Sequence, residues 1–67
     1  MQKFGDRLRN LRVEQGISQV KLAEEIKAGQ SAVSLWELTQ REPTLSKLVA
    51  LARYFDVTLD YLAGLED

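Results

Sequence analysis

The chain has 67 residues and a net charge of −1, and it contains neither cysteine nor histidine. The missing residue types exclude disulfides and thiolate or imidazole metal sites, and they remove the commonest general base at neutral pH, so we expect no enzyme, no metal and no cofactor. The length predicts one small domain over residues 1–67, and the lack of a signal peptide or a long apolar run predicts a cytoplasmic protein with no membrane association.

The first predicted helix runs from about Gln2 to Gln15. Phe4, Leu8 and Leu11 recur at helical spacing within it and form one apolar stripe. Gly16 follows, at the position where a left-handed C-cap favours glycine. We therefore expect this helix to pack one face on the core and to end at Gly16.

A helix-turn-helix pair is predicted over about residues 19–38. Ser18 is a candidate N-cap for a helix from Gln19 to Ile26, because its hydroxyl can accept from a free N–H in the first turn. The pattern breaks at residues 27–29. A second helix then runs from Gln30 to Leu38.

The second helix of this pair has two different faces. Its spacing places Val33 and Trp36 toward the core. Trp36 could instead stack on an unpaired base, but its register with Val33 favours the core. Gln30, Ser31 and Ser34 are expected to face outward.

Two more helices complete the chain. Thr44 is a candidate N-cap for a helix over residues 45–55, the most strongly periodic segment of the sequence. Thr58 would cap a short last helix, Leu59 to Ala63, with Gly64 as its stop. Five helices, short connections and no strand candidate predict an all-α fold, a compact five-helix bundle.

The basic residues are concentrated near the N terminus. Residues 1–21 carry a balance of +3, whereas residues 22–42 and residues 43–67 carry −2 each. A basic first third suits a surface that faces phosphates. An ordinary solvated helix face with i,i+4 ion pairs would give the same balance, so charge alone leaves both interpretations open.

Six segments cover nearly all of the chain in one order: FGDRLRNLR, GISQ, LAEEI, SAVSLWE, REPTLSKLVALARYF and VTLDYLAG. In this order and at these spacings the chain resembles the helix-turn-helix domains of phage repressors, Cro proteins and related bacterial regulators of the C1 type. The resemblance implies a lambda-repressor-like fold with the helix-turn-helix as helices 2 and 3. It also implies sequence-specific binding of double-stranded DNA as a transcriptional repressor, nucleoid-associated when bound.

The resemblance assigns DNA contacts by position. It implies that Gln19 contacts a phosphate and that the helix over residues 30–38 lies in the major groove. A glutamine amide can bond bidentately to adenine, and an apolar side chain can contact a thymine methyl. The expected base-reading residues are Gln30, Ser31, Ser34 and Leu35, the expected phosphate contacts are Gln19, Lys21, Lys27, Arg41 and Arg9, and Lys3 and Arg7 are expected to add to the attraction.

Two further features follow from the resemblance. Arg12 and Glu37 match a pair that bridges the first helix to the end of the third in similar proteins, which implies a structural role; removing one partner of a deeply buried pair costs on the order of 3 kcal/mol. Similar domains also bind pseudo-palindromic operators as two-fold homodimers. The candidate interface is Leu59, Tyr61, Leu62 and Leu65, with core packing as the alternative role of Leu62 and Leu59.

The chain departs from the family pattern in the turns. Lys27 and Thr39 stand where glycine is frequent. A left-handed backbone at Lys27 would cost roughly 1 kcal/mol or more. We expect Gly29 to take up part of that bend.

The recognition helix is also atypical, because Leu35, Leu38 and Gln40 stand where arginine or lysine is common. Three interpretations follow. Leu35 contacts a thymine methyl in a DNA-binding repressor; or Leu35 and Leu38, with Val20, form an apolar patch that binds a protein partner; or the face is inert or altered by engineering.

Overall fold

The computed structural model describes residues 3–66 of the chain. Over this range all regular structure is helical, without a strand, which confirms the all-α prediction. The predicted start of the first helix, Gln2, lies outside the described residues. The five helices are α1 (Phe4–Glu14), α2 (Gln19–Ile26), α3 (Gln30–Glu37), α4 (Leu45–Phe55) and α5 (Leu59–Ala63).

Side-chain caps begin three of these helices. Ser18, Thr44 and Thr58 are extended, and each hydroxyl accepts from the backbone N–H three residues later, at 3.0, 3.3 and 3.0 Å. Such a cap satisfies a donor that has no acceptor within the helix. All three caps were readable from the sequence, and the predicted starts of α2, α4 and α5 are confirmed.

The helix ends use left-handed residues. Gly16 has the predicted positive φ of 66°, and Lys27 closes α2 with φ 59° and ψ 48°. Gly29, by contrast, is extended, with φ −78° and ψ 149°. The prediction that Gly29 shares the bend is therefore wrong: Lys27 alone makes the left-handed turn. Other positive-φ residues of the described range are Thr39, Asp56 and Gly64.

All five helices contribute to one hydrophobic core. Trp36 is 3% exposed and meets Phe4 edge to face, with ring centroids 6.5 Å apart, so its predicted core position is confirmed. Leu62 is fully buried within the chain. Of its two predicted roles, core packing is therefore confirmed and the dimer contact is wrong, because its side chain offers no surface to a partner. The core residues are Phe4, Leu8, Leu22, Ala23, Ile26, Val33, Trp36, Leu51, Ala52, Phe55 and Leu62.

Helix α3 packs against both α1 and α2, and α4 packs against α2 and α5. The contact with α1 depends on Gly5, because a Cβ there would come within 2.7 Å of the carbonyl oxygens of Trp36 and Glu37 and of Thr39 Oγ1. Glycine thus lets α1 approach the C-terminal end of α3. No helix within the described residues is long and apolar enough to cross a membrane.

Candidate nucleic-acid interface

One face of α3 is polar and open. Gln30 and Ser31 are exposed and Ser34 is half-buried. At about 100° per residue these positions share one side of the helix. Val33 and Trp36, on the opposite side, are buried. The structure therefore brings together three of the four predicted base-reading residues on one outward stripe.

Leu35 lies at the edge of this stripe and is half-buried. Leu38 is 62% exposed and Val20 is 44% exposed. The three residues predicted to form an exposed apolar patch therefore differ in exposure, because Leu35 is partly covered by the rest of the fold. Only part of its side chain is available for a thymine methyl or a protein partner.

A carboxylate joins α1, α2 and α3. Arg12 Nε donates to Glu37 Oε2 at 2.6 Å and Arg12 Nη2 donates to Oε1 at 3.0 Å. The two residues that the resemblance paired thus form a bidentate ion pair. The Arg12 and Glu37 side chains are 15% and 5% exposed. The hydrogen bond to Glu37 raises the pKa of Arg12. The guanidinium also donates to Ile17 O at 2.9 Å, which fixes the segment before α2.

Gln19 is held by the same carboxylate. Its Nε2 donates to Glu37 Oε1 at 3.0 Å, and the residue is half-buried at the first position of α2. Free N–H groups at a helix N terminus attract anions. Gln19 therefore lies at the first position of α2 with its amide held by Glu37, and its phosphate contact stays a prediction.

A cleft of about 230 Å³ lies on one side of α3. We call it the α1–α3 cleft. It brings the predicted phosphate residues Arg9 and Gln19 next to the base-reading residue Ser34. The lining residues are Arg9, Arg12, Gln19, Ser34, Glu37 and Leu38.

A second cleft, of about 300 Å³, lies on the other side of α3, between the α2–α3 turn and the α3–α4 connector. We call it the turn cleft. Lys27 and Arg41, distant in sequence, meet here with Lys47 against one carboxylate, Glu42. The lining residues are Lys27, Ala28, Gly29, Ala32, Trp36, Arg41, Glu42, Pro43, Thr44 and Lys47. Four predicted phosphate residues therefore line two clefts, one that includes Ser34 of the outward stripe and one beside the turn between α2 and α3.

The Helix-turn-helix family matches the sequence over residues 8–62. The chain belongs to this family. Its fold is similar to that of the P22 c2 repressor, solved in complex with a synthetic operator, with a TM-score of 0.89 and 30% identity over 94% of this chain and 96% of that one. The predicted lambda-repressor-like architecture is thereby confirmed, and α2 and α3 are the helix-turn-helix unit.

Two other proteins are similar to this helix-turn-helix chain. The restriction-modification controller protein C.AhdI of Aeromonas hydrophila has a TM-score of 0.81 and 38% identity, covering 90% of this chain and 91% of that one. YobD, an uncharacterized HTH-type transcriptional regulator of Bacillus subtilis (strain 168), is 43% identical over 64 residues, which cover 96% of this chain and 57% of YobD. The chain thus spans little more than half the length of this relative.

Two residues that were predicted to attract phosphates, Lys21 and Arg7, contact other groups of the protein. Lys21 pairs with Glu25, four residues on in α2, at 3.1 Å, and this hydrogen bond raises the pKa of Lys21. Lys21 lines neither cleft, and its phosphate contact stays a prediction. Arg7 lies over the Tyr61 ring, 4.3 Å from its centroid, and donates to Tyr61 O at 2.5 Å and to Glu66 O. The side chain of Arg7 therefore ties α1 to α5, and its part in attracting phosphates stays a prediction.

Sequence reasoning missed two residues that shape the helix-turn-helix unit. Gly5 is one, and its position inside a helical pattern was the available signal, because an interior glycine often marks a close packing contact. Lys47 is the other, since its ammonium contacts the end of α2. The signal for Lys47 in the sequence was weaker. The last turn of α2 contains no basic residue of its own, so a cation from elsewhere could serve its C-terminal carbonyls.

The remaining interface candidates lie on or after α5. Leu65 is 78% exposed, Leu59 is 38% exposed and Tyr61 is half-buried under Arg7. These three keep available surface, unlike Leu62. Among the described residues there is no group of three or more acidic side chains placed to hold a metal ion.

Proposed function

We propose that the chain binds double-stranded DNA with sequence preference, as the DNA-binding part of a transcriptional repressor, with α3 in the major groove. The observation that carries this proposal is the arrangement of α3 itself. A polar outward stripe adjoins a cleft lined by Arg9 and Gln19, and Lys27 and Arg41 line a second cleft beside the turn that begins the helix. The likeness to a repressor solved with its operator supports the same orientation.

Base readout is assigned to the outward stripe. Gln30 is the principal reader, because its amide can donate to adenine N7 and accept from adenine N6. Ser31 and Ser34 supply weaker hydrogen bonds to base edges. Leu35 adds an apolar contact at the edge of the stripe. The contact is small because the side chain is half-buried.

Phosphate binding is assigned to the two clefts. Gln19 and Arg9 serve one backbone from the α1–α3 cleft, while Lys27 and Arg41 serve the other from the turn cleft. The three cations predict a slope of about −3 for log affinity against log salt for one domain. Lys21 forms an exposed, weak ion pair with Glu25 and stays a further candidate for phosphate attraction outside the two clefts.

The proposal includes a homodimer on a pseudo-palindromic operator, in the cytoplasm and associated with the nucleoid. One recognition helix reads half of such a site, and a two-fold dimer reads both halves. Leu59, Tyr61 and Leu65 offer the surface for a weak isologous contact. The comparisons favour DNA binding over a protein-interaction module on Leu35 and Leu38.

The test is selection from randomised duplex DNA at low salt, followed by a salt titration of the selected operator. Gln30→Ala should lose about 1 to 3 kcal/mol at particular bases. Gln15→Ala, an exposed glutamine at the end of α1, is the matched control and should bind like the unchanged protein. Failure to enrich any sequence at low salt would refute the proposed function.

A further inference from the structure

Lys47 connects α4 to the end of α2. It lies in the first turn of α4, which is capped by the Thr44 hydroxyl. Its Nζ donates to the carbonyl oxygens of Lys27 at 2.8 Å and of Ile26 at 3.2 Å. One ammonium thus holds two successive carbonyls of a different helix.

These two carbonyls lack the backbone partners that an interior helix residue would have. The last carbonyls of any helix have no intrahelical donor. The N–H of Lys27 donates to Glu24 O at 3.3 Å and the N–H of Ala28 donates to Ala23 O at 2.8 Å. The end of α2 also carries the negative end of its dipole, and its last turn contains no basic residue. Lys47 supplies that charge from α4.

The contact between Lys47 and the end of α2 lies immediately before the turn that leads into α3. Lys27 is a left-handed lysine, a conformation that persists only where its surroundings fix it. Helix α3 begins at Gln30, three residues later. The direction of α3 therefore depends on a turn that has no glycine at its left-handed position.

We propose that Lys47 is a positioning residue for DNA binding. By holding the carbonyls of Ile26 and Lys27 it fixes the left-handed turn, and through that turn the direction in which α3 leaves α2. Its ammonium serves the protein backbone and is not a phosphate contact, although it lines the turn cleft beside Lys27 and Arg41. The part of this inference that concerns DNA rests on the proposed function.

The first test needs no DNA. Amide hydrogen exchange is measured by NMR for the unchanged protein, Lys47→Met, Lys47→Arg and the control Arg53→Met, an exposed cation on the same helix. Lys47→Met should speed exchange at Lys27 and Ala28 about tenfold relative to the amides of Leu51 and Ala52, because a hydrogen bond to a charged donor contributes about that factor.

The comparison with core amides separates a loosened turn from a less stable fold. Lys47→Arg keeps a cationic donor and should restore slow exchange at Lys27 and Ala28. Arg53→Met should leave both amides unchanged. Unchanged exchange at the turn in Lys47→Met would overturn the proposal, as would equal acceleration at the turn and in the core.

The second test uses the selected operator. Lys47→Met should lower affinity several-fold at every salt concentration while leaving the slope of log affinity against log salt unchanged. Lys27→Met and Arg41→Met should each reduce that slope by about 0.9, as the loss of one phosphate contact does. A slope reduced by about 0.9 in Lys47→Met would make Lys47 a phosphate contact and overturn the proposal. If the unchanged protein selects no DNA, the proposed function fails, and the exchange test alone decides on Lys47.

Discussion

At Lys27 a lysine occupies backbone space that glycine adopts freely, with φ 59°. The left-handed conformation costs an L-residue about 1 to 2 kcal/mol per residue. A glycine there would relieve this strain but would lose more chain entropy on folding. The entropy loss would offset about 0.4 to 1 kcal/mol of the relieved strain. Lys27 thus combines a strained backbone conformation with a cationic side chain that lines the turn cleft.

We predict that Lys27→Gly raises the free energy of unfolding by about 0.5 to 1 kcal/mol, the difference between relieved strain and added chain entropy. The same change should weaken operator binding, because a cation leaves the turn cleft. Urea denaturation and DNA titration measure the two effects. Glu24→Gly, at an exposed position inside α2, is the control and should lower stability by about 1 kcal/mol. A loss of stability in Lys27→Gly would contradict the prediction.

At the scale of helices, the approach of α1 to α3 depends on Gly5. We predict that Gly5→Ala lowers the free energy of unfolding by about 1 to 3 kcal/mol, because its methyl group would meet backbone carbonyls that cannot move without shifting α3. Thermal or urea unfolding measures the loss.

Gly29→Ala is the matched control for Gly5→Ala. The nearest atom to a Cβ at Gly29 is Ser31 Oγ at 4.0 Å, and φ at Gly29 is −78°. The control should therefore change stability by less than about 0.5 kcal/mol, since the poorer N-cap and the reduced chain entropy oppose each other. Equal effects of the two substitutions would show that close packing at Gly5 is not the cause.

The helices themselves were predictable from the sequence because their signals are local. Ser18, Thr44 and Thr58 cap through backbone groups three residues away, so the starts of α2, α4 and α5 can be read from the chain alone. The end of α1 was placed one residue late, at Gln15, and the end of α3 one residue late, at Leu38, both of which are C-caps. Helix ends fray and lack an equally strong signal.

The candidate site was only partly predictable, because tertiary contacts decide which charges remain available. The outward positions of Gln30 and Ser31 follow from helical periodicity. Arg7 could not be separated from Arg9 by the sequence, because its partner, Tyr61, lies 54 residues later in the chain. Lys47 escaped for the same reason: the carbonyls that it holds lie 20 and 21 residues earlier in the chain. The pairing of Lys21 with Glu25, four residues on in α2, has a spacing that the sequence does show.

For the whole molecule, the proposed homodimer depends on Leu65, the exposed leucine that follows α5. We predict that Leu65→Asp abolishes concentration-dependent dimer formation and weakens binding to a two-half-site operator, because it places a charge in an apolar contact. Sedimentation over a range of protein concentrations measures the dimer. Val13→Asp, which replaces an exposed valine on α1, is the control and should leave the dimer unchanged. A monomer at millimolar concentration that stays a monomer on the operator would refute the predicted assembly.

The Glu37 carboxylate has a consequence for how such a domain changes its target over evolutionary time. Glu37 anchors the last turn of α3 to Arg12 and Gln19, while the core holds the helix through Val33 and Trp36. None of the residues that hold α3 in place is a principal base reader. Under the proposed readout by Gln30, we therefore expect its exchange to change operator preference with little effect on the stability of the scaffold, so that selection can act on recognition and stability separately.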